Sequence, residues 1–435
     1  MVAIVGLDRH NLRAIQDAPE VPDLSQQMAC VLVAIGIRVR QPDSDRKSIM
    51  RTEHCGVYPR VVTPTLYLLV SWYALLPLSV PAADKAAPKL STATIKSIRR
   101  AVKSTMAQQQ VVGVAVGVIR AGSVVYLEGL GYEDREKQIP VTSQTRFRWA
   151  SISKTLTAVA TLQLWEKKRL KLSDTVRHYV PEFPDKGAPI SIRDLLCHQG
   201  GIVHYSNGRV IRTTRTYPIP HPFAEVMNAL DLFKESPLVC RPGERPSYTT
   251  HGYILLSSVV QRSGTQPFAE QIRDRIVRPL ELQTLQPDYQ WESIPHRAVG
   301  YRQHQGKIVR STNTDVSWKL GGGGYLSNID DLARYTAALI EHQLIDPDTA
   351  ARMWTPQRTQ DGTVTGIGLG FMLHGSGQRL RVSHNGSQEK TRTRMVFYPA
   401  QRHGVVVMSN SEYANPAQFT TAVYQAWRQA ERKGI

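Results

Sequence analysis

The sequence predicts an α+β fold: one antiparallel sheet flanked by helices, with a helical region beside it. Three observations carry this. β-rich runs sit near both ends of the chain, within 111–131 and 366–409. The stretch between them, about 173–320, reads as helical and irregular, with proline-rich loops. An amphipathic helix borders the strands at each end, Thr92 to Gln109 and about Pro416 to Arg432. Strands from both ends pair most economically into a single sheet covered by the terminal helices.

In order along the chain, residues 1–49 read poorly as structure. They balance six basic against six acidic residues, which argues against a transit peptide. A second start is legible at Met50. Arg51 and Arg60 form a basic region, Val61 to Val80 is largely apolar, and the small residues up to Ala83 suit cleavage. The pattern predicts a secretory signal peptide over 50–83, with an uncleaved membrane anchor as the alternative. Either way the bulk of the chain is expected to be exported, periplasmic or secreted, beginning near Ala83 or Asp84. Residues 84–91 form a linker, and 92–430 the main domain.

Within that domain Val111 to Ile119 and Val124 to Gly131 predict a hairpin across Arg120-Ala121-Gly122-Ser123. Thr155 to Leu170 has the apolar residues of an amphipathic helix. Gly321 to Gly324 marks a tight backbone passage, and Asn328 opens a helix to His342. Gly366 to Leu373, Leu380 to Ser383, Thr391 to Tyr398 and Gly404 to Ser409 predict strands.

The formal net charge is +18, from 54 Lys+Arg and 36 Asp+Glu. Basic residues are scattered without a long run or a nucleic-acid motif, so nucleic acid is set aside as a partner. That leaves an ordinary basic protein or attraction to an anionic surface. Of four cysteines, Cys197 and Cys240 fall in the main domain, either as a pair or as separate thiols. No Cys/His cluster has metal-ligand spacing, so neither a metal site nor a cofactor is expected.

Chemistry is concentrated in three short motifs. A hydroxyl is a weak nucleophile and needs a base within reach. Ser-x-x-Lys supplies one, because residues three apart share a helix face. The spacing occurs at Ser44/Lys47, Ser151/Lys154 and Ser387/Lys390. Only Ser151 opens a long apolar-patterned helix, whose N-terminal potential favours a developing negative charge. The other two motifs are Tyr248-Thr249-Thr250 and His384-Asn385-Gly386.

These motifs, in this order, resemble the serine β-lactamase and penicillin-binding superfamily. The class C-like branch is closest, in particular the mitochondrial serine β-lactamase-like proteins and their bacterial relatives. Supporting text includes Arg148-Trp149-Ala150-Ser151-Ile152-Ser153-Lys154, Leu195-Leu196-Cys197-His198-Gln199-Gly200-Gly201 and Gly322-Gly323-Gly324-Tyr325-Leu326-Ser327. The resemblance spans about 92–430. It implies a β-lactamase/transpeptidase-like fold, Ser151 as nucleophile and Lys154 as base. It implies Tyr248 as proton carrier, its phenolate stabilised by Lys154 and His384. It also implies His384 and Gly386 on a strand lining the cleft, and the Ser387 and Ser151 backbone N–H groups as an oxyanion hole.

Two departures from the family pattern matter. Thr250 replaces the usual Asn of the second motif, and a hydroxyl reaches different atoms. His384 replaces the usual Lys of the third, so a charge for a substrate carboxylate would be present only in part near neutral pH. Both weigh against efficient antibiotic hydrolysis. The resemblance implies an exported serine hydrolase acting through an acyl-enzyme on peptide, ester or amide substrates. The competing reading is a binding or assembly protein with the same fold and little turnover. Specificity is expected between about Tyr205 and Arg241; Tyr253 is expected in the core and His198 is given no role.

Overall fold

The computed structural model describes residues 89–432. The readings of 1–49, of the signal peptide or anchor over 50–83, of the proposed new N-terminus, of Ser44/Lys47 and of most of the linker lie outside the described residues. No described helix is long and apolar enough to cross a membrane.

Helix α1 (Thr92–Gln109) begins at Ser91, whose hydroxyl accepts the Thr94 N–H, a helix N-cap. Strands β1 (Gly113–Arg120) and β2 (Ser123–Asp134) follow as the expected hairpin. Its turn residues Ala121 and Gly122 both have positive φ, 49° and 76°, the conformation a tight hairpin with right-handed twist requires. β3 (Ile139–Pro140) is a short edge strand. Helix α2 (Ser153–Glu166) carries the Ser-x-x-Lys lysine, and α3 (His251–Gly264) follows the tyrosine motif. Asn328 caps α4 (Ile329–Ile340), its side chain accepting the Asp331 N–H. Then come β4 (Met372–His374), β5 (Arg381–Gln388), β6 (Thr391–Tyr398), β7 (His403–Ser409) and helix α5 (Pro416–Arg432).

The seven strands form one antiparallel sheet in the order β3-β2-β1-β7-β6-β5-β4, joining both ends of the chain as expected. Period-two alternation sorts its two faces. Val114, Val116 and Val118 of β1, with Val405 and Val407 of β7, pack against Ile98, Val102, Phe419, Val423 and Trp427 of the terminal helices. Ala115, Ile119, Val406 and Met408 face the other way, into the core shared with α2, α3 and α4. Each fully buried large apolar side chain contributes about 1.5–3 kcal/mol.

Three differences from expectation have clear causes. The strand expected over 366–373 is only Met372–His374, because Gly370 takes φ at 91°, which interrupts an extended run. The strand expected at 380–383 continues to Gln388, since β6 pairs with it through Gln388 and Thr391. Helix α2 is not amphipathic: every residue from Ser153 to Leu164 is buried, because α2 runs through the middle of the core.

Candidate active site

Ser151 lies in a short 3-10 turn (Ala150–Ile152) that leads into α2. This turn is held tightly. The Trp149 ring is fully buried, and its Nε1 donates to Ser327 Oγ at 2.7 Å. The Trp149 N–H donates to the Tyr325 carbonyl at 2.8 Å. From the sheet side, Thr393 Oγ1 donates to the Trp149 carbonyl at 2.9 Å and Thr391 Oγ1 to the Arg148 carbonyl at 3.0 Å. Both threonines are buried, on one face of β6. The Arg148 guanidinium pairs with the buried Asp288 at 2.5 Å. Held this way, Ala150 keeps φ at 48°, a left-handed conformation unusual for alanine and costly by about 1–3 kcal/mol. Strain of this kind, next to a nucleophile, persists only where neighbours over-determine the backbone.

Lys154 meets Ser151 one helical turn on, as the spacing requires. Its Nζ lies 3.3 Å from Ser151 Oγ, 3.2 Å from Thr250 Oγ1 and 2.6 Å from the Gly322 carbonyl. The side chain is 0% exposed. Burial, reinforced by the charge of Lys319, drives the amine well below lysine's ordinary value.

The tyrosine motif approaches from the start of α3. Lys154 Nζ sits 5.0 Å from the centre of the Tyr248 ring, and Tyr248 hydrogen-bonds with Ser151. The expectation of a stabilised phenolate is corrected. Burial pushes the Tyr248 phenol above its ordinary range, and the Ser151 hydrogen bond only works against that. Neither expected cation outweighs burial: the Lys154 amine is itself driven well below lysine's ordinary value, and His384 is lowered to about 3. Tyr248 therefore keeps its proton at neutral pH.

His384 is corrected in the same way. It lies on β5 and lines the cavity beside Ser151, but it is almost wholly buried, at 3% exposed. Burial, then repulsion from Lys154, lowers its pKa to about 3, although its Nδ1 lies 2.8 Å from the Asn385 carbonyl. A histidine there carries no charge near neutral pH and does not titrate near 6.5. Gly386, two residues on, is required by the packing. A Cβ at that position would sit 2.0 Å from Thr393 Oγ1 and 2.3 Å from the Trp149 carbonyl. The glycine lets β5 lie directly against the turn that carries Ser151.

Ser151, Tyr248, His384 and Ser387 line one cavity of about 370 Å³, together with Tyr205, Met372 and Asn385. β4 pairs with β5 only through Arg381–Ser383, so the β5 edge beyond Ser383 has no strand beside it in the main sheet. The other Ser-x-x-Lys pair is not a site. Ser387 is on β5, and Lys390 sits in the following turn with φ at 70°, its ammonium bonded to Asn313.

Sequence reasoning missed several contributors. Thr250, read as a departure that weakens substrate binding, is buried and holds Lys154. The Gly322 carbonyl does the same. Its glycine is explained by crowding, since a Cβ there would lie 2.7 Å from Thr250 Cγ2. The glycine run was the legible signal. His198 Nδ1 accepts the Thr249 N–H at 3.3 Å, and His204 Nδ1 accepts the Thr250 N–H at 3.1 Å. Burial keeps both neutral, His204 at about 4, which leaves the ring nitrogens able to accept. No spacing rule flags such a pair. Tyr253 is a core residue as expected, its hydroxyl donating to the Leu196 carbonyl at 2.7 Å. Cys197 and Cys240 are separate free thiols. No group of acidic, His or Cys side chains able to hold a metal occurs among the described residues.

Residues 98–426 match the family model described as Beta-lactamase. The human mitochondrial serine β-lactamase-like protein LACTB is 29% identical over 322 residues, covering 56% of this chain and 59% of that protein. The chain thus spans less than two thirds of the first curated relatives it matches. Penicillin-binding protein 4* of Bacillus subtilis (strain 168) is 27% identical over 320 residues, covering 70% of this chain and 69% of that protein. Among solved structures, a D-amino acid amidase from Ochrobactrum anthropi SV3 superposes with a TM-score of 0.65 at 20% identity, covering 78% of this chain and 99% of the amidase. An octameric penicillin-binding protein homologue from Pyrococcus abyssi gives 0.64 at 24% identity, covering 78% and 77%. With residues 98–426 matching its model, the chain belongs to the β-lactamase family.

Proposed function

We propose that the protein is a serine hydrolase that forms an acyl-enzyme on Ser151 and acts on peptide, ester or amide substrates. The observation that carries this is the placement of a fully buried Lys154 amine 3.3 Å from Ser151 Oγ. A neutral amine has two N–H donors and one lone pair. Gly322 and Thr250 offer acceptors for the donors, which leaves the lone pair for the Ser151 proton. Ser151 Oγ then attacks the acyl carbon as its proton moves to Lys154. Tyr248, which holds its proton, donates it to the departing nitrogen or oxygen as the bond to the acyl carbon breaks. The proton on Lys154 restores Tyr248. Water attacks the acyl-serine in the second half, with the same groups running in reverse. The backbone N–H groups of Ser151 and Ser387 take the oxyanion role, worth about 3 kcal/mol per donor.

The amidase and penicillin-binding relatives support an acyl-transfer chemistry of this class. β-Lactam turnover is the weaker expectation, because position 384 offers no fixed cation. Intact-mass measurement with a panel of β-lactams, activated esters and D-amino-acid peptides tests the reading. An acyl adduct that vanishes in Ser151→Ala supports it. Absence of any adduct or product, or an adduct that persists in Ser151→Ala, overturns it.

A further inference from the structure

A second cavity, of about 680 Å³, adjoins the first and shares Tyr205 and Ser387 with it. Its charged lining is uneven. Lys319 and Arg212 contribute two cations against one carboxylate, Glu389. Lys319 is the notable member, at 8% exposed. Its ammonium makes no hydrogen bond or ion pair among the described residues; it lies 5.4 Å from the centre of the Trp318 ring. A lysine buried this deeply is normally paired, because an unpaired buried charge is expensive. Burial lowers Lys319, with Glu389 and Asp315 resisting, but only to about 8, so it remains mostly protonated at neutral pH.

The neighbours do not satisfy it. Asp315 spends both carboxylate oxygens on Ser317, accepting its N–H and hydroxyl at 2.9 Å each. Glu389 is exposed, where water screens its charge. A nearly buried ammonium without a partner, lining a cavity with a guanidinium at its rim, seeks an acceptor.

We propose that this cavity is an anion subsite, and that the preferred substrates carry a carboxylate that docks on Lys319 with Arg212 at the entrance. The proposal rests on the acyl-transfer reading of Ser151, and it places substrate charge recognition on Lys319 rather than on His384. A carboxylate there accepts from Lys319, supplying the partner it lacks in the free protein.

The test compares p-nitrophenyl monoesters of succinic, glutaric and adipic acids with the butyric, pentanoic and hexanoic esters of matching length. The readout is the ratio of kcat/KM for acid-bearing over neutral ester, so that any general effect of Lys319 on Lys154 cancels. For the chain length that fits best, Lys319→Gln is expected to lower the ratio roughly ten- to hundredfold, the usual worth of a charge-assisted hydrogen bond. Arg212→Gln, at the exposed rim, is expected to lower it about two- to fivefold. A ratio unchanged in both variants, with esters still turned over through Ser151, overturns the subsite and leaves the hydrolase reading intact. If no ester is turned over at all, the ester part of the hydrolase reading fails. The subsite is then decided by calorimetric binding of glutarate to the Ser151→Ala protein. Binding weakened by Lys319→Gln supports it, and binding that is absent or indifferent to Lys319→Gln overturns it.

Discussion

The turn that carries Ser151 and the segment 205–225 meet at one cavity, through Ser151 and Tyr205, and are built in opposite ways. In the first, Trp149 and Lys154 are fully buried, and hydrogen bonds arrive from β6, from Ser327 and from the tyrosine motif. In the second, most residues are exposed; Tyr205 is 56% exposed. That segment is tied down at few points, chiefly Ile211 to Ser236 and Thr213 and Tyr217 to Asp231. The difference has a physical logic. Bond-making chemistry needs reacting groups fixed to fractions of an ångström, which only a packed core supplies. Substrate choice needs surface that can vary without unfolding the protein, which loops supply.

The comparison makes unequal demands on substitutions. Lys154→Ala should have the largest effect, lowering kcat/KM about 10²–10⁴-fold by removing the base. In the unsubstituted protein, the limb of kcat/KM that rises with pH should lie below lysine's ordinary 10.5, because burial favours the neutral amine. A limb at the ordinary value would show that Lys154 is not the base.

Gly386→Ala comes next. The added methyl meets the Trp149 carbonyl and Thr393 on a rigid wall, and a shift of about 1 Å in the Ser151 turn is enough for a loss on the order of hundredfold. Overpacking should also cost about 1–3 kcal/mol of stability, read by denaturant unfolding. Near-normal activity would mean the turn is softer than its hydrogen bonds indicate.

A pH effect on stability should follow. His384, His204 and His251 are lowered by burial to about 3, 4 and 4 in the folded chain. Once unfolded, they titrate near the ordinary 6.5. Below that value the unfolded state takes up protons that the folded state refuses, so stability is full above about 6.5 and declines as pH falls towards 4. The midpoint of thermal unfolding should fall over that range. For the same reason, activity on anionic and neutral esters should share one profile between about pH 5 and 7, without a histidine limb. Tm flat with pH, or a limb near 6.5 confined to anionic esters, would restore a charged histidine to the site.

The smallest effect on the fold is expected for Tyr205→Ala. Stability should stay within about 0.5 kcal/mol, as for other exposed positions. The ranking of substrates by kcat/KM should nevertheless change, because Tyr205 lines both cavities. Unchanged ranking would move specificity elsewhere.

Much of this was legible in the chain because it is local. A helix brings residues three apart onto one face, so Ser151 and Lys154 meet without help from the rest of the fold. The β-rich runs at 111–119 and 404–409 marked β1 and β7, and Asn328 announced the start of α4. The glycines at 321–324 marked a tight passage, though not what approaches. Resemblance to the family then picked out Tyr248 and His384, which no local rule distinguishes from ordinary core residues.

The charge states were decided by tertiary structure alone. A lysine, a tyrosine and four histidines change their proton affinity according to how much water surrounds them, and burial depends on residues hundreds of positions away. The chain therefore determined which groups would be present and which would be one helical turn apart. Only the fold decided that Lys154 favours the neutral amine, that Tyr248 keeps its proton and that His384 is uncharged. It also left Lys319 as a buried cation with nothing yet to hold.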